Sequence, residues 1–219
     1  MPRYLQRPIT YLITSGETTS STTPASAEFL AVLALVERAV SAGITLVQLR
    51  EKNLTARTLH ELAARAAAIT RGSATRILVN DRADIARTAL CDGVHLTTRS
   101  LDARVVRRAF GEEFLIGVST HALDEAQAAR DRGADFAVYG PVFDTPSKRS
   151  NGPPLGLESL REAAHALAPF PIVALGGIAE ETVAEVFRAG AQGVAAIRLF
   201  ADGQNLTRTM HLIESLHAH

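Results

Sequence analysis

The chain of 219 residues carries one cysteine, no net charge and no long apolar run. With Cys91 alone, no intramolecular disulfide can form, and its apolar neighbourhood reads as that of a buried small hydrophobe. The 23 basic and 23 acidic residues balance, so nothing implies a nucleic-acid partner, which normally calls for a basic excess. Any anion must be bound by local placement of charge. The longest apolar run ends at Val36 and meets Glu37 and Arg38 at once, too soon to span a bilayer. No N-terminal segment has the pattern of a signal peptide. The expectation is a cytoplasmic protein with no membrane partner, and the composition leaves a homo-oligomer open. There is no Ser-His-Asp triad, Cys-His pair, zinc-type ligand spacing or low-complexity repeat.

What is present points to a packed globular chain. Hydrophobic residues make up 47% and charged residues 21%, enough for a sizeable core. The length fits one domain, 1–219, near the low end for a (β/α)8 barrel. Short apolar runs at 9–14, 45–49, 76–79, 93–96, 114–118, 135–139, 172–175 and 193–197 alternate with amphipathic runs at 27–42, 56–71, 83–90, 101–110, 123–132, 157–167, 180–188 and 204–217. The first helix shows the spacing Leu30, Leu33, Val36, Val40. Continuous apolar strands suit burial on both faces. Eight strands each followed by a helix predict a closed parallel TIM barrel, with a doubly wound open sheet as the alternative. Gly43, Gly133 and Gly190 fall just past helices, as C-caps do.

In such a barrel the strand C-termini build the site. Gln48, Arg50 and Lys52 alternate along the second strand and are predicted to share a face, with Leu49 and Glu51 on the other. They form either a donor cluster for phosphate, where Arg forks and Lys acts as a point charge, or an internal ion-pair network. Asn80-Asp81 ends the third strand. Its carboxylate suits Mg²⁺ shared with substrate phosphates, or equally a salt bridge to Arg82 or a helix cap. Ser119, Thr120 and His121 end the fifth strand; the hydroxyls suit a phosphate or the N-cap of the helix near Leu123, and His121 is a candidate proton donor. His95 reads as a packed or capping residue. Thr145, Ser147 and Lys148 can wrap a phosphate or form a solvated turn. Gly176-Gly177 precedes a helix whose N-terminus can bind an anion, with Ile197 and Arg198 as the opposite wall. Two anion sites are expected on one rim. Gln48, Arg50, Lys52 and Lys148 suit a diphosphate with metal, and Gly176, Gly177 and Arg198 suit a monophosphate.

The runs Gln48-Leu-Arg-Glu-Lys52, Asn80-Asp81, Asp92-Gly-Val-His-Leu96, Gly117-Val-Ser119, Gly140-Pro-Val-Phe143 with Thr145-Pro-Ser-Lys148, and Ala174-Leu-Gly-Gly-Ile178 occur in order. Together they resemble the thiamine phosphate synthases, a family that also contains thiazole tautomerases. The resemblance implies a (β/α)8 barrel transferase that joins hydroxymethylpyrimidine diphosphate to hydroxyethylthiazole phosphate, releasing pyrophosphate. It implies that Gln48, Arg50, Lys52, Ser119 and Lys148 hold the diphosphate, with Lys148 and Ser119 acting on it as it leaves. Asn80 and Asp81 would serve the pyrimidine and Mg²⁺, and Gly177 and the backbone near Ile197 the thiazole phosphate. The chain departs from the family pattern where Ser100, a candidate helix N-cap, replaces a second metal-binding Asp, where Arg198 replaces a Ser, and where Thr14-Ser15-Gly16 lacks an acidic residue. Pro141 stands where the tautomerases carry a His. Two further readings are a tautomerase-like isomerase that needs no metal and a non-catalytic barrel that senses a thiamine intermediate.

Overall fold

The computed structural model describes residues 5, 8–144, 152–201 and 205–217. Its strands are β1 (Ile9–Ile13), β2 (Leu46–Leu49), β3 (Arg76–Asn80), β4 (Gly93–Leu96), β5 (Leu115–Thr120), β6 (Phe136–Tyr139), β7 (Ile172–Leu175) and β8 (Gly193–Ala196). The helices that follow them are α1 (Ala27–Ser41), α2 (Ala56–Thr70), α3 (Ala83–Thr88), α4 (Ala103–Phe110), α5 (Leu123–Asp131), α6 (Gly156–Leu167), α7 (Glu180–Arg188) and α8 (Leu206–His217). A short 3-10 helix, Arg198–Phe200, lies between β8 and α8. All strands are parallel, and β1 pairs with β8 through Tyr11 opposite Ala195. That pairing closes the sheet and removes the open doubly wound alternative.

The period of two along each strand divides the apolar residues into two cores. Ile9, Tyr11, Ile13, Leu46, Leu78, Leu115, Phe136, Val138, Val173 and Ala195 fill the barrel interior. Their neighbours, such as Leu12, Val47, Ile77, Val94 and Ile172, pack outward against the helices. The strands read as continuous apolar runs because both faces are covered. The buried stripe of α1 is Phe29, Leu33, Val36 and Ala39. Leu30, expected on that stripe, is exposed, because the stripe starts one residue earlier and alanine completes it. Gly43, Gly133 and Gly190 have positive φ just past their helices, as the sequence predicts. Cys91 is buried, and burial pushes its thiol up to about 12.

The rim at the strand N-termini is tied by a repeated device. Thr45, Asp92, Asp135 and Gln192 each precede an even-numbered strand. Each side chain accepts a hydrogen bond from the preceding strand's backbone, from the N–H of Thr10 at 3.3 Å, Ile77 at 2.8 Å, Ile116 at 2.7 Å and Ile172 at 2.8 Å respectively. Arg107 reinforces the third by donating to Asp135 at 2.8 Å and to the carbonyls of Gly133 and Phe114 at 2.9 Å each.

Candidate active site

Gln48, Asn80, His95 and Ser119 all lie at the C-terminal ends of their strands and face inward, above the apolar plug. Gln48, Asn80 and His95 are buried, and Ser119 is half-buried. Gln48 Nε2 donates to the Tyr11 hydroxyl at 2.9 Å, the hydroxyl meets His95 Nδ1 at 3.2 Å, and His95 Nε2 meets Ser119 Oγ at 2.8 Å. Burial lowers the His95 pKa to about 4, with the nearby Asp81 charge opposing only in part. Burial likewise raises that of Tyr11, against a smaller opposing effect of the Gln48 hydrogen bond. Both side chains are therefore neutral near pH 7. Nothing in the sequence marks Tyr11 as a site residue, and His95 reads there only as packed or capping. Each looks like an ordinary core residue until the barrel brings them together. Gly117 leaves the space for this group, since a Cβ there would lie 2.4 Å from the Phe136 ring and 2.9 Å from His95 Nδ1.

On the second strand the predicted shared face covers only Gln48. β2 stops at Leu49, so Arg50 and Lys52 leave the pleat and Lys52 sits exposed in the following turn. Arg50 lies against the first loop, where a Cβ on Gly16 would come 3.5 Å from its Nη1. Neither cation makes an ion pair with another described residue, so the internal salt-bridge reading finds no support among them. Glu51 takes a different role. It is buried and accepts from the hydroxyls of Thr14 and, at 2.6 Å, Thr18, clipping the loop after β1 to the end of β2.

Asp81 stands in the left-handed region with φ 61, a conformation that Asp tolerates better than most residues. Arg82 pairs with Asp84 at 2.6 Å instead, and the residue before α3 is Arg82, which makes no side-chain cap. Both structural alternatives for Asp81 therefore fall away. Its Oδ1 accepts from Thr97 at 3.2 Å and from Ser100, and its Oδ2 from Asn80 at 2.8 Å. Ser100 is not the expected helix cap. Asp102 caps α4 by accepting from the Arg104 N–H at 2.8 Å, while the Ser100 hydroxyl turns to Asp81. Asp102 also pairs with Arg132 at 3.0 Å, so both of its carboxylate oxygens are engaged elsewhere. Among the described residues no three His, Cys, Asp or Glu side chains gather as a metal cage. One carboxylate beside two hydroxyl oxygens is nevertheless a hard donor set. It fits Mg²⁺ that draws its remaining ligands from water and a phosphorylated substrate.

Ser119 and Thr120 belong to β5 and do not cap α5, whose N-cap is Ala122 without a side-chain bond. His121 is turned to its own helix, with its N–H donating to Glu125 at 2.7 Å and its Nδ1 3.4 Å from the same carboxylate. Gly176 and Gly177, with φ of 98 and 66, end β7. They also allow a close packing that the sequence did not reveal. A Cβ on Gly176 would lie 2.5 Å from Pro141, and one on Gly177 would lie 2.6 Å from Phe143. The segment after β6 continues along β7, with Val142 N–H donating to Leu175 O at 2.8 Å and Phe143 N–H to Gly176 O at 3.0 Å. Glu180 and Glu181 already occupy the first turn of α7, where they answer the helix dipole. Ile197 leads into the 3-10 helix that starts at Arg198, whose side chain is exposed. Thr145, Ser147 and Lys148 lie outside the described residues.

The family profile described as thiamine monophosphate synthase matches residues 11–200. A thiamine-phosphate synthase of Moorella thermoacetica is 44% identical over 165 residues, covering 75% of this chain and 78% of that protein. The thiamine-phosphate synthase of Roseiflexus sp. is 38% identical over 182 residues, covering 82% and 77% respectively. Among solved structures, the thiamine phosphate pyrophosphorylase from Pyrococcus furiosus superposes with a TM-score of 0.80 at 27% identity, covering 96% of this chain and 98% of that one.

Proposed function

The chain belongs to the thiamine monophosphate synthase family, and on that premise we propose how its rim carries the reaction. The protein is a thiamine-phosphate synthase, a transferase that joins hydroxymethylpyrimidine diphosphate to hydroxyethylthiazole phosphate. The carbon–oxygen bond at the pyrimidine methylene breaks, and its electron pair leaves with the diphosphate. The thiazole nitrogen then supplies the pair for the new carbon–nitrogen bond. No proton changes hands in the joining, so the demand on the protein is electrostatic. It must neutralise a developing anion and hold two rings in line. His121, engaged by Glu125, has no required step in this scheme.

The observation that carries the assignment of the site is that Arg50 and Lys52 follow the C-terminal end of β2 without carboxylate partners among the described residues, on the rim where β3 to β5 end in inward polar residues. Arg50, Lys52, Gln48 and Ser119, completed by Thr145, Ser147 and Lys148, hold the diphosphate. Asn80 orients the pyrimidine. Asp81, supported by Ser100 and Thr97, would hold Mg²⁺, which supplies positive charge to the leaving diphosphate. Gly176, Gly177, Ile197 and Arg198 take the thiazole phosphate at the loops after β7 and β8, where barrels of this class commonly bind phosphate. Residues 1–219 act as one domain, on small phosphorylated substrates, in the cytoplasm. No helix among the described residues is long and apolar enough to cross a membrane.

The test is turnover with both phosphorylated heterocycles and Mg²⁺, following released pyrophosphate. Stoichiometric pyrophosphate and thiamine phosphate are expected. Binding of the thiazole phosphate with no pyrophosphate released would overturn the synthase and favour an isomerase or a sensor.

A further inference from the structure

The four-residue chain across the barrel mouth has only one consistent direction of hydrogen bonding. An amide nitrogen can only donate, so the Tyr11 oxygen accepts from Gln48 at 2.9 Å. The Tyr11 hydroxyl must then direct its own proton to its other neighbour, His95 Nδ1, at 3.2 Å. A ring that accepts at Nδ1 carries its proton on Nε2, and that proton meets Ser119 Oγ at 2.8 Å. With its oxygen accepting from inside, Ser119 can only turn its own proton outward. A doubly protonated ring is excluded by the same geometry, because both nitrogens would donate and leave the buried Tyr11 proton without an acceptor.

We propose that Tyr11 and His95 are positioning residues that fix the Ser119 hydroxyl as a hydrogen-bond donor facing the barrel mouth, selecting an anionic oxygen as its ligand. This rests on the synthase reading, where that oxygen belongs to the diphosphate. Rotating the Gln48 amide by half a turn would reverse the whole chain. Tyr11 would donate to Gln48, His95 would carry its proton on Nδ1, and Ser119 would donate inward and offer only lone pairs to an anion. The inner end of the chain therefore decides what the mouth can bind. Bonds that point the same way also polarise one another, which strengthens the outward donor.

The direct test is nitrogen NMR of the His95 ring in the full-length protein without ligand. A proton on Nε2 and a bare Nδ1 near neutral pH are expected; a proton on Nδ1, or on both nitrogens, overturns the proposal. The second test is a double-mutant cycle read by calorimetric binding of pyrophosphate with Mg²⁺. Tyr11→Phe and Ser119→Ala are each expected to weaken pyrophosphate by about tenfold. The double variant should be no weaker than Ser119→Ala alone, with binding of the thiazole phosphate unchanged throughout. Additive losses, or unchanged pyrophosphate affinity in Tyr11→Phe, would reduce Tyr11 to a packing residue. If Tyr11→Phe fails to fold, the ring-nitrogen measurement on the unaltered protein still decides. Failure of the unaltered protein to bind pyrophosphate would instead count against the synthase reading and leave the tautomer result standing.

Discussion

At the strand N-termini, Thr45, Asp92, Asp135 and Gln192 each spend a side-chain acceptor on a backbone N–H of the neighbouring strand. At the opposite rim Ser119 is left with an outward proton, and among the described residues Asp81 is ringed by donors without a paired cation while Arg50 and Lys52 lack carboxylates. The residue types overlap, and the fold places both sets within three residues of a strand end. The difference lies in satisfaction. The lower rim closes its hydrogen bonds internally and stabilises the sheet. The upper rim holds polar groups in fixed positions and leaves part of their bonding capacity for a ligand. Substitutions below should therefore move stability without chemistry, and substitutions above should do the reverse.

The largest expected effect is at the lower rim. Arg107→Ala leaves the half-buried Asp135 carboxylate without its partner and frees the Gly133 and Phe114 carbonyls, and losing a pair this far from solvent costs roughly 3 kcal/mol. Urea unfolding should report that loss, while kcat/KM per folded molecule stays within about twofold. A large fall in activity at undiminished stability would break the division between the rims.

The next effect concerns the upper rim's own contribution to stability. His95 has a folded-state pKa near 4, below the ordinary 6.5, so between those values the unfolded chain binds the extra proton. Stability from this group is thus complete above about pH 6.5 and is lost as the pH falls toward 4, a loss on the order of 3 kcal/mol. Melting curves against pH should show the decline, and His95→Gln should flatten it. An unchanged slope in that variant would assign the acid sensitivity elsewhere.

Arg50→Ala sharpens the contrast from the other side. Removing a cation with no described partner should alter stability by no more than about 0.5 kcal/mol. Turnover should fall about a hundredfold, equivalent to roughly 2.7 kcal/mol of barrier. Steady-state kinetics beside thermal melting separates the two, and a variant that melts early but turns over normally would move Arg50 to the structural side.

The fold was legible because its signals are local. A run of apolar residues, a helical stripe and a glycine after the stripe each sit within one element, and only the joining of β1 to β8 required the structure. Gln48, Asn80, Asp81 and Ser119 could be placed because each ends a strand. What could not be read were partnerships across the barrel. Tyr11 and His95 are 84 residues apart, Asp81 and Ser100 are 19 apart, and each member has an innocent local explanation. Ser100 and Ser119 were candidate caps until Asp102 and Ala122 took those positions. The lower-rim device did leave a trace, a polar residue immediately before each even-numbered strand, but that pattern gains meaning only once the strands are numbered.

The smallest effect probes Ser100, a hydroxyl on the upper rim where the resemblance to the synthases implies a carboxylate. Ser100 donates to Asp81, so Ser100→Asp would replace a bond with a second carboxylate at the same oxygen. Without metal the two like charges repel, and melting should fall by about 1 kcal/mol. With Mg²⁺ and pyrophosphate the extra carboxylate becomes a hard oxygen ligand. The Mg²⁺ concentration for half-maximal pyrophosphate binding, read by calorimetry, should fall about tenfold, or roughly 1.4 kcal/mol. Magnesium should also restore the lost melting temperature in this variant more than in the unaltered chain, since binding to the folded state alone stabilises it. If Ser100→Asp lowers stability and Mg²⁺ recovers none of it, Asp81 is held by Ser100 for structure, and the upper rim is more self-satisfied than its contrast with the lower rim requires.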